Sequence, residues 1–509
     1  MAEANRPERA KAILLITVFV AGLSTILYEL LIGTVSSYLL GDSVKQFSLT
    51  IGLSMSAMGV GSWASRLFKN HLLFWFIFAE VCLGVVGGLS VPTLYLVYGM
   101  SDAYTPVMIA FILSIGFLIG LEIPLLTRLM EGDFSLRENI SNVLSLDYLG
   151  ALVATLLFPF VLLPFLGIFR GSLVVALLNF FVALLCLWYF KAWLKPRGQS
   201  FLKGLAGSLL LLDLVLFFNS KSLLHSWESS LYQDRVIFSE QSPYQKIVLT
   251  KNRDDLRLFL DGNLQFSSQD EYRYHEALIH IPLSLAARPE EVLILGGGDG
   301  LAVRELLKYP KVRGIDLVDL DRAITELAQQ HPRFLEYNQG SLSNRKVTIH
   351  NQDAFRFLEK GTKQYQVIFA DLPDPKNVSL SRLYSKEFDR LIEQRLAPGG
   401  IFVTQATSPF FARKAFWSIK RTLSEVFPHV RAYHLSVPSM GDWGFVMAAR
   451  HPLEIGAVTL PPKLRYLTGP IVEGMFLFGR DVEEISVQAT SLNDPKLLEY
   501  YLQGWKKWR

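Results

Sequence analysis

A chain of 509 residues, half of them apolar, is too long for one ordinary domain and too apolar for a wholly water-soluble protein. Its formal net charge of +4 is too small to point to nucleic acid. Its two cysteines, Cys82 and Cys186, both lie in apolar runs, which argues against a disulfide framework or a thiolate metal site.

Between about 12 and 218 the apolar residues gather into runs of roughly 18 to 27, the length a helix needs to cross a bilayer core. Crossings are expected near 12–34, 46–65, 72–98, 104–126, 143–166, 171–190 and 201–218, which makes 1–224 a multi-span α-helical membrane domain of about seven helices. The first run exceeds a signal-peptide core and further runs follow it, so it reads as a retained anchor. Glu29, Glu80, Glu122 and Asp147 lie in or beside these runs, where ionisable groups are costly unless they face partners or water. They fit either a route for a cationic product or side chains that tie helices together. Gly84-x-x-x-Gly88 and Gly116-x-x-x-Gly120 suit close helix packing, inside the bundle or at an interface of a homo-oligomer. Basic residues recur at every second loop: Arg6, Arg9 and Lys11, then Arg66 and Lys69, Arg128 and Arg137, and Lys191, Lys195, Arg197 and Lys203. That pattern puts the amino terminus inside and, after seven crossings, the rest of the chain outside.

From about 225 the composition turns to charged, alternating segments. Ile247–Thr250 and Leu256–Leu260 flank a charged turn and read as a β-hairpin within a β-rich part at 225–290. Strands expected at 292–295, 315–318, 347–350, 366–370 and 401–404 alternate with helical patterns such as 301–308 and 322–330. Such alternation implies a Rossmann-like α/β domain over 291–450, with a mostly parallel sheet and helices on both faces. In the extension 451–509, Asp494-Pro495 opens a helical pattern through Tyr500 and Trp505 that could lie on a membrane surface or pack on the α/β domain.

Gly296-Gly-Gly-Asp299-Gly300 follows the apolar run Val292–Leu295 and precedes a helix, the arrangement that brings a Rossmann-like backbone close to a nucleotide. Asp299 adds a carboxylate to that turn and asks for a cationic ligand. Asp319 ends the second strand, where such sites bind ribose hydroxyls. Asp353-Ala354 follows the third strand in a position suited to reading an adenine amino group, and Asp371-Leu-Pro-Asp374 sets two carboxylates at the carboxyl edge of the sheet. A lone acid after a strand more often caps a helix.

These segments occur in a fixed order: Ser242-Pro-Tyr-Gln245, Asp261-Gly-Asn-Leu-Gln265, Asp270-Glu-Tyr-Arg-Tyr-His275-Glu276, the glycine turn, Asp371-Leu-Pro-Asp374-Pro375, Leu383-Tyr-Ser385 and Gly441-Asp-Trp-Gly-Phe445. Together they resemble the spermidine synthase (polyamine aminopropyltransferase) family over roughly 232–450. The apolar half resembles that of membrane-bound members through Tyr28-Glu-Leu-Leu31, Ser37-Tyr-Leu-Leu-Gly41 and Glu122-Ile-Pro-Leu-Leu126. The resemblance implies decarboxylated S-adenosylmethionine as co-substrate donor and putrescine or a related amine as acceptor, with no resident cofactor or metal. It implies Asp371 as the proton acceptor, and Gln245, Asp319, Asp353 and Ala354 as donor contacts. His275, Asp299 and Asp374 would lie near the polyamine, with Tyr274 and Tyr384 walling its channel and Trp443 packing in a nearby loop.

A free amine has a pKa near the lysine value of roughly 10 and must lose a proton before it attacks. Two departures bear on the acceptor: Pro373 stands where the family usually has Ser or Thr, and Lys376-Asn-Val-Ser-Leu-Ser381 replaces a loop that usually contains Gly-Pro. Two other functions stay open, a methyltransferase on the same sheet and a polyamine transporter whose second half senses nucleotide or amine. The donor is a cytosolic metabolite, which favours a cytosolic catalytic half against the charge pattern.

Overall fold

The computed structural model describes residues 6–40, 43–101, 103–130, 136–232 and 234–508. They divide into two compact units at Val236/Ile237.

The first unit is helical: α1 (Arg6–Leu40), α2 (Ser43–Ala64), α3 (Leu72–Met100), α4 (Tyr104–Leu129), α5 (Leu136–Leu157), α6 (Leu163–Tyr189) and α7 (Pro196–Leu231). Six of the expected crossings each fall on one of these helices, whereas 143–166 runs from α5 through the π-helical turn Phe158–Leu162 into α6; α7 continues past the expected boundary at 224. Among the described residues, five stretches are long and apolar enough to cross a membrane: Ala10–Leu40, Leu72–Met100, Tyr104–Leu129, Arg137–Tyr189 and Pro196–Leu224. The fourth contains both α5 and α6, and helical geometry breaks at Gly167 (φ 70°, ψ 179°), near the start of α6. There the chain folds back, since a Cβ on Gly171 would meet the Leu162 side chain at 2.4 Å. Helix α2 is not among the five. Gly41 of the Ser37–Gly41 motif lies outside the described residues.

Close packing accounts for the spaced glycines. A Cβ on Gly84 would lie 3.1 Å from Phe180 and one on Gly88 2.8 Å from Ala176, both on α6; Gly116 and Gly120 meet the α2 backbone at Ser54 and Met58. Both pairs are therefore filled within the chain rather than by a second copy. The buried Tyr28 hydroxyl donates to Asn179 Oδ1 at 3.1 Å, and Asn179 Nδ2 donates to Glu80 Oε2 at 3.0 Å. This chain of polar groups ties α1, α6 and α3 together, so the structure uses Glu80 as a helix tie.

The second unit opens with a four-stranded sheet in the order β1 (Arg235–Gln241), β2 (Lys246–Asn252), β3 (Asp255–Leu260), β4 (Asn263–Ser267). Strands β2 and β3 form the expected antiparallel hairpin, turning at Arg253 (φ 54°); β1 and β4 widen it into a sheet. The chain continues as α8 (Glu271–Leu285), β5 (Glu291–Gly296), α9 (Leu301–Leu306), β6 (Gly314–Val318), α10 (Arg322–Gln330), α11 (Pro332–Asn338), β7 (Val347–His350) and α12 (Ala354–Lys360). Then follow β8 (Tyr365–Asp371), α13 (Val378–Ser381), α14 (Lys386–Arg395), β9 (Leu396–Gln405), α15 (Arg413–Ser424), β10 (His429–Val437), β11 (Gly441–Ala449), α16 (Gly469–Met475) and α17 (Lys496–Trp505).

The main sheet runs β10-β11-β9-β8-β5-β6-β7. Strands β5 to β9 are parallel, and β11 pairs antiparallel with β9 and β10. Period-two alternation sends Val292 and Ile294 into the core on one face and Leu293 and Leu295 into the core on the other. The central strand β5 lies between β6 and β8; the chain runs from β5 outward to β6 and from β8 outward to β9, so the strand order reverses between β5 and β8. Ligands of open α/β sheets bind outside the carboxyl ends of strands at such a point. Trp443 belongs to β11 rather than to a loop; it is buried opposite Leu435, a packing position set by the strand ladder.

Candidate active site

The glycine turn after β5 is shaped by its contact with β8. Gly296 pairs in register with Asp371, and the Gly297 amide donates to the Asp371 carbonyl at 3.2 Å. Gly296 has φ 83°, and a Cβ there would lie 2.0 Å from that carbonyl oxygen. Only glycine fits this approach. It brings the Asp371 carboxylate against the turn: a Cβ on Gly297 would sit 3.2 Å from Asp371 Oδ2.

Tyr274, on α8, donates to Asp371 Oδ1 at 2.6 Å. The next residue, His275, is buried, and its Nδ1 bonds Glu271 through the carbonyl and Oε2, both at 2.8 Å. Arg304 holds both oxygens of Glu271 at 2.9 Å, fixing the carboxylate that fixes the ring. Burial alone would lower the His275 pKa, but the Glu271 bond and charge, with Asp299 and Asp371, push it up to about 9. His275 is therefore an imidazolium at neutral pH, placed between carboxylates and held by the protein.

Those carboxylates respond to burial first. Asp299 is pushed up to about 6 by desolvation, with the His275 charge opposing; its Oδ1 accepts from the Leu301 amide at 2.9 Å at the start of α9. Asp371 is raised by desolvation against His275 and the Tyr274 bond. Asp374 is pushed up to about 6 by desolvation, against hydrogen bonds from Tyr501, Gln405 and Thr407. Gln405 Nε2 reaches Asp374 Oδ1 at 3.3 Å, and Thr407 Oγ1 reaches Oδ2 at 3.2 Å.

The expected donor residues lie along the neighbouring strand ends. Asp319, after β6, accepts from the Gly298 amide at 3.0 Å and the Asp321 amide at 2.9 Å, and desolvation pushes it up to about 7. Gln245 donates to Asp321 Oδ2 at 3.0 Å, beside Ser242 Oγ at 2.6 Å, so the Ser-Pro-Tyr-Gln segment is tied to the end of β6. Asp353 caps α12 through the Arg356 amide at 3.0 Å and pairs with Arg382. Its carboxylate thus has a structural duty, the helix cap weighed from sequence, while Ala354 begins that helix, buried.

Tyr384 does not bond a carboxylate. Its hydroxyl donates to the Leu372 and Pro373 carbonyls at 3.3 and 3.1 Å and braces the loop that carries Asp374. Glu276 accepts the amides of Arg465, Tyr466 and Leu467 at 2.7 to 3.0 Å, so this motif residue anchors the carboxyl-terminal segment. Gln405, Thr407 and Tyr501 are site residues that sequence reasoning missed. The first two had an available signal, their position just past the apolar run 401–404 at a strand's carboxyl end. Tyr501 had none.

Comparison with known proteins bears on this arrangement. Residues 271–455 match the spermine/spermidine synthase domain. Over 497 residues the chain is 41% identical to a polyamine aminopropyltransferase of Leptospira interrogans, covering 97% of this chain and 99% of that one. A polyamine aminopropyltransferase of Oceanobacillus iheyensis is 40% identical over 491 residues, 95% of each chain. The crystal structure of spermidine synthase from Thermotoga maritima superposes with a TM-score of 0.45 at 27% identity, over 48% of this chain and 86% of that one. With near-complete coverage at this identity, the chain belongs to the polyamine aminopropyltransferase family.

Proposed function

We propose that the enzyme transfers the aminopropyl group of decarboxylated S-adenosylmethionine to putrescine, giving spermidine and methylthioadenosine. One observation carries this reading: Asp299 and Asp371 both act on the buried cation His275, and Asp374, three residues beyond Asp371, adds a third buried carboxylate held mainly by neutral donors. The excess negative charge suits a sulfonium donor and an ammonium acceptor, and it opposes the carboxylate of ordinary S-adenosylmethionine. In this scheme Asp371 takes a proton from the acceptor ammonium. The freed nitrogen lone pair attacks the methylene beside sulfur, and the carbon–sulfur pair returns to sulfur, which leaves as a neutral thioether. Asp374 holds the acceptor, and Gln245, Asp319, Asp353 and Ala354 line the donor side. Alignment supplies much of the rate, as in other displacements between two bound reactants.

The helical unit is read as a membrane anchor. Large apolar side chains such as Phe165 and Phe218 are 77% exposed on it, a surface suited to lipid. We place the catalytic unit on the cytosolic side, where the donor is made. Counting α5 and α6 separately and leaving out α2 gives an even number of crossings, at the cost of putting every later basic cluster, Arg66 and Lys69, Arg128 and Arg137, and Lys191, Lys195 and Arg197, on the far side.

The test supplies purified protein with decarboxylated S-adenosylmethionine and a panel of amines. Methylthioadenosine release with putrescine, abolished in Asp371→Asn with donor binding intact, supports the reading. Absence of methylthioadenosine release with every amine tried, or methyl transfer from ordinary S-adenosylmethionine, overturns it.

A further inference from the structure

The carboxyl-terminal segment lies beyond the matched domain at 271–455, yet it is bound into the catalytic unit. Trp417 Nε1 donates to the Val482 carbonyl at 3.0 Å, Ser418 Oγ to the Gln488 carbonyl at 2.7 Å, and the Thr490 amide to Thr422 Oγ1 at 3.0 Å. These bonds deliver α17 to the turn before α15. A Cβ on Gly504 would lie 2.8 Å from the Ala412 backbone, and the Phe411 ring stacks on Trp505 at 5.1 Å. Trp508 closes on the same ring at 5.2 Å. With its neighbour Leu497 buried, Tyr501 is itself only 8% exposed, and its hydroxyl hydrogen-bonds the Asp374 carboxylate.

We propose that Tyr501 is a positioning residue of the amine-acceptor site, holding Asp374 for the acceptor ammonium. This rests on the reading that Asp374 receives the amine. Gln405, Thr407 and Tyr501 are all neutral donors. They orient the carboxylate and help it stay ionised without cancelling its charge; Lys376, two residues on, adds a smaller favourable charge, and the neutral Tyr384 lies beside it. A carboxylate offers about four lone-pair positions, so three bonds leave room for one cation. The acceptor subsite is in this way completed by a helix from outside the matched domain, and acceptor affinity depends on the last turns of the chain.

The sign of the effect follows from that role. Without the Tyr501 bond, burial of Asp374 acts with less opposition, and the carboxylate is protonated over a wider range of pH. Acceptor binding should weaken most at and below neutrality and recover as pH rises.

The experiment compares full-length wild type with Tyr501→Phe, which keeps the ring and its packing. The variant is expected to show a KM for putrescine raised about 10-fold at pH 7, an increase that shrinks by pH 9, while donor affinity is unchanged. An unchanged putrescine KM, an increase equal at both pH values, or loss of donor binding along with it overturns the proposal. Transfer by the wild type under the same conditions tests the underlying reading separately: if wild type transfers no aminopropyl group, it is that reading which fails.

Discussion

The Tyr274 hydroxyl donates to Asp371 Oδ1 at 2.6 Å while Asp371 Oδ2 faces the glycine turn, so one oxygen is held by the protein and the other is turned to the ligand side. A hydrogen bond to a charged group contributes about 1.5–3 kcal/mol. Tyr274→Phe should therefore lower kcat by about 10-fold or more. Since the bond favours the ionised carboxylate, its loss raises Asp371 further, and the acid limb of the kcat/KM profile should move to higher pH. A pH–rate series on both proteins checks this.

His275 gives stability a pH dependence. Its folded-state pKa of about 9 lies above the ordinary 6.5, so its contribution is fully present below about 6.5 and is lost as pH rises through about 9. Thermal melts of the full chain from pH 6 to pH 10 should show this decline, and His275→Gln should flatten it. A variant that keeps the wild-type slope would assign the decline to another group.

Gly296→Ala places a methyl group 2.0 Å from the Asp371 carbonyl in a left-handed backbone region. Relief requires β5 and β8 to separate at the site. Activity should fall by more than about 100-fold, since a misplacement of about 1 Å near reacting groups has that scale of effect. Gly340→Ala also has positive φ but meets no atom within 4 Å; assayed beside it, that variant should retain most activity.

Asn179→Leu removes the group that serves both Tyr28 and Glu80 in the helical unit. Each buried group left without a partner costs about 1–3 kcal/mol. The variant should melt at lower temperature while its kcat at 20 °C stays near wild type, as measured on protein in detergent or lipid discs.

Four of the parallel strands are legible because their buried apolar runs end in Gly296, Asp319, Asp371 or Gln405; β7, only partly buried, is the weaker signal. Strands β10 and β11 are also less legible: His429, Arg431 and His434 interrupt one, and Asp442 and Gly444 break the other. Asp353 was read as a ligand contact from its place after a strand, but the same place is a helix N-cap, and local sequence does not separate the two. The tail's helix was visible in its periodicity, whereas its neighbour was not. Periodicity tells which face of a helix is apolar and says nothing of the surface that will cover it, so Tyr501 and Asp374 could be joined only in three dimensions. In the helical unit, apolar run length located the helices but did not separate α2 from those long and apolar enough to cross a membrane.

Ser242 and Gln245 both end on Asp321, which is 79 residues later in the chain than Ser242. During synthesis the small sheet emerges well before the partner that secures its edge, so it must wait, incompletely anchored, while β5, α9 and β6 are made. Ribosomal pausing after residue 321 has left the exit tunnel would let that edge settle, and pausing before then would leave β1 and β2 open to mispairing. Codon changes in this window are expected to alter yield without altering the activity of the molecules that survive.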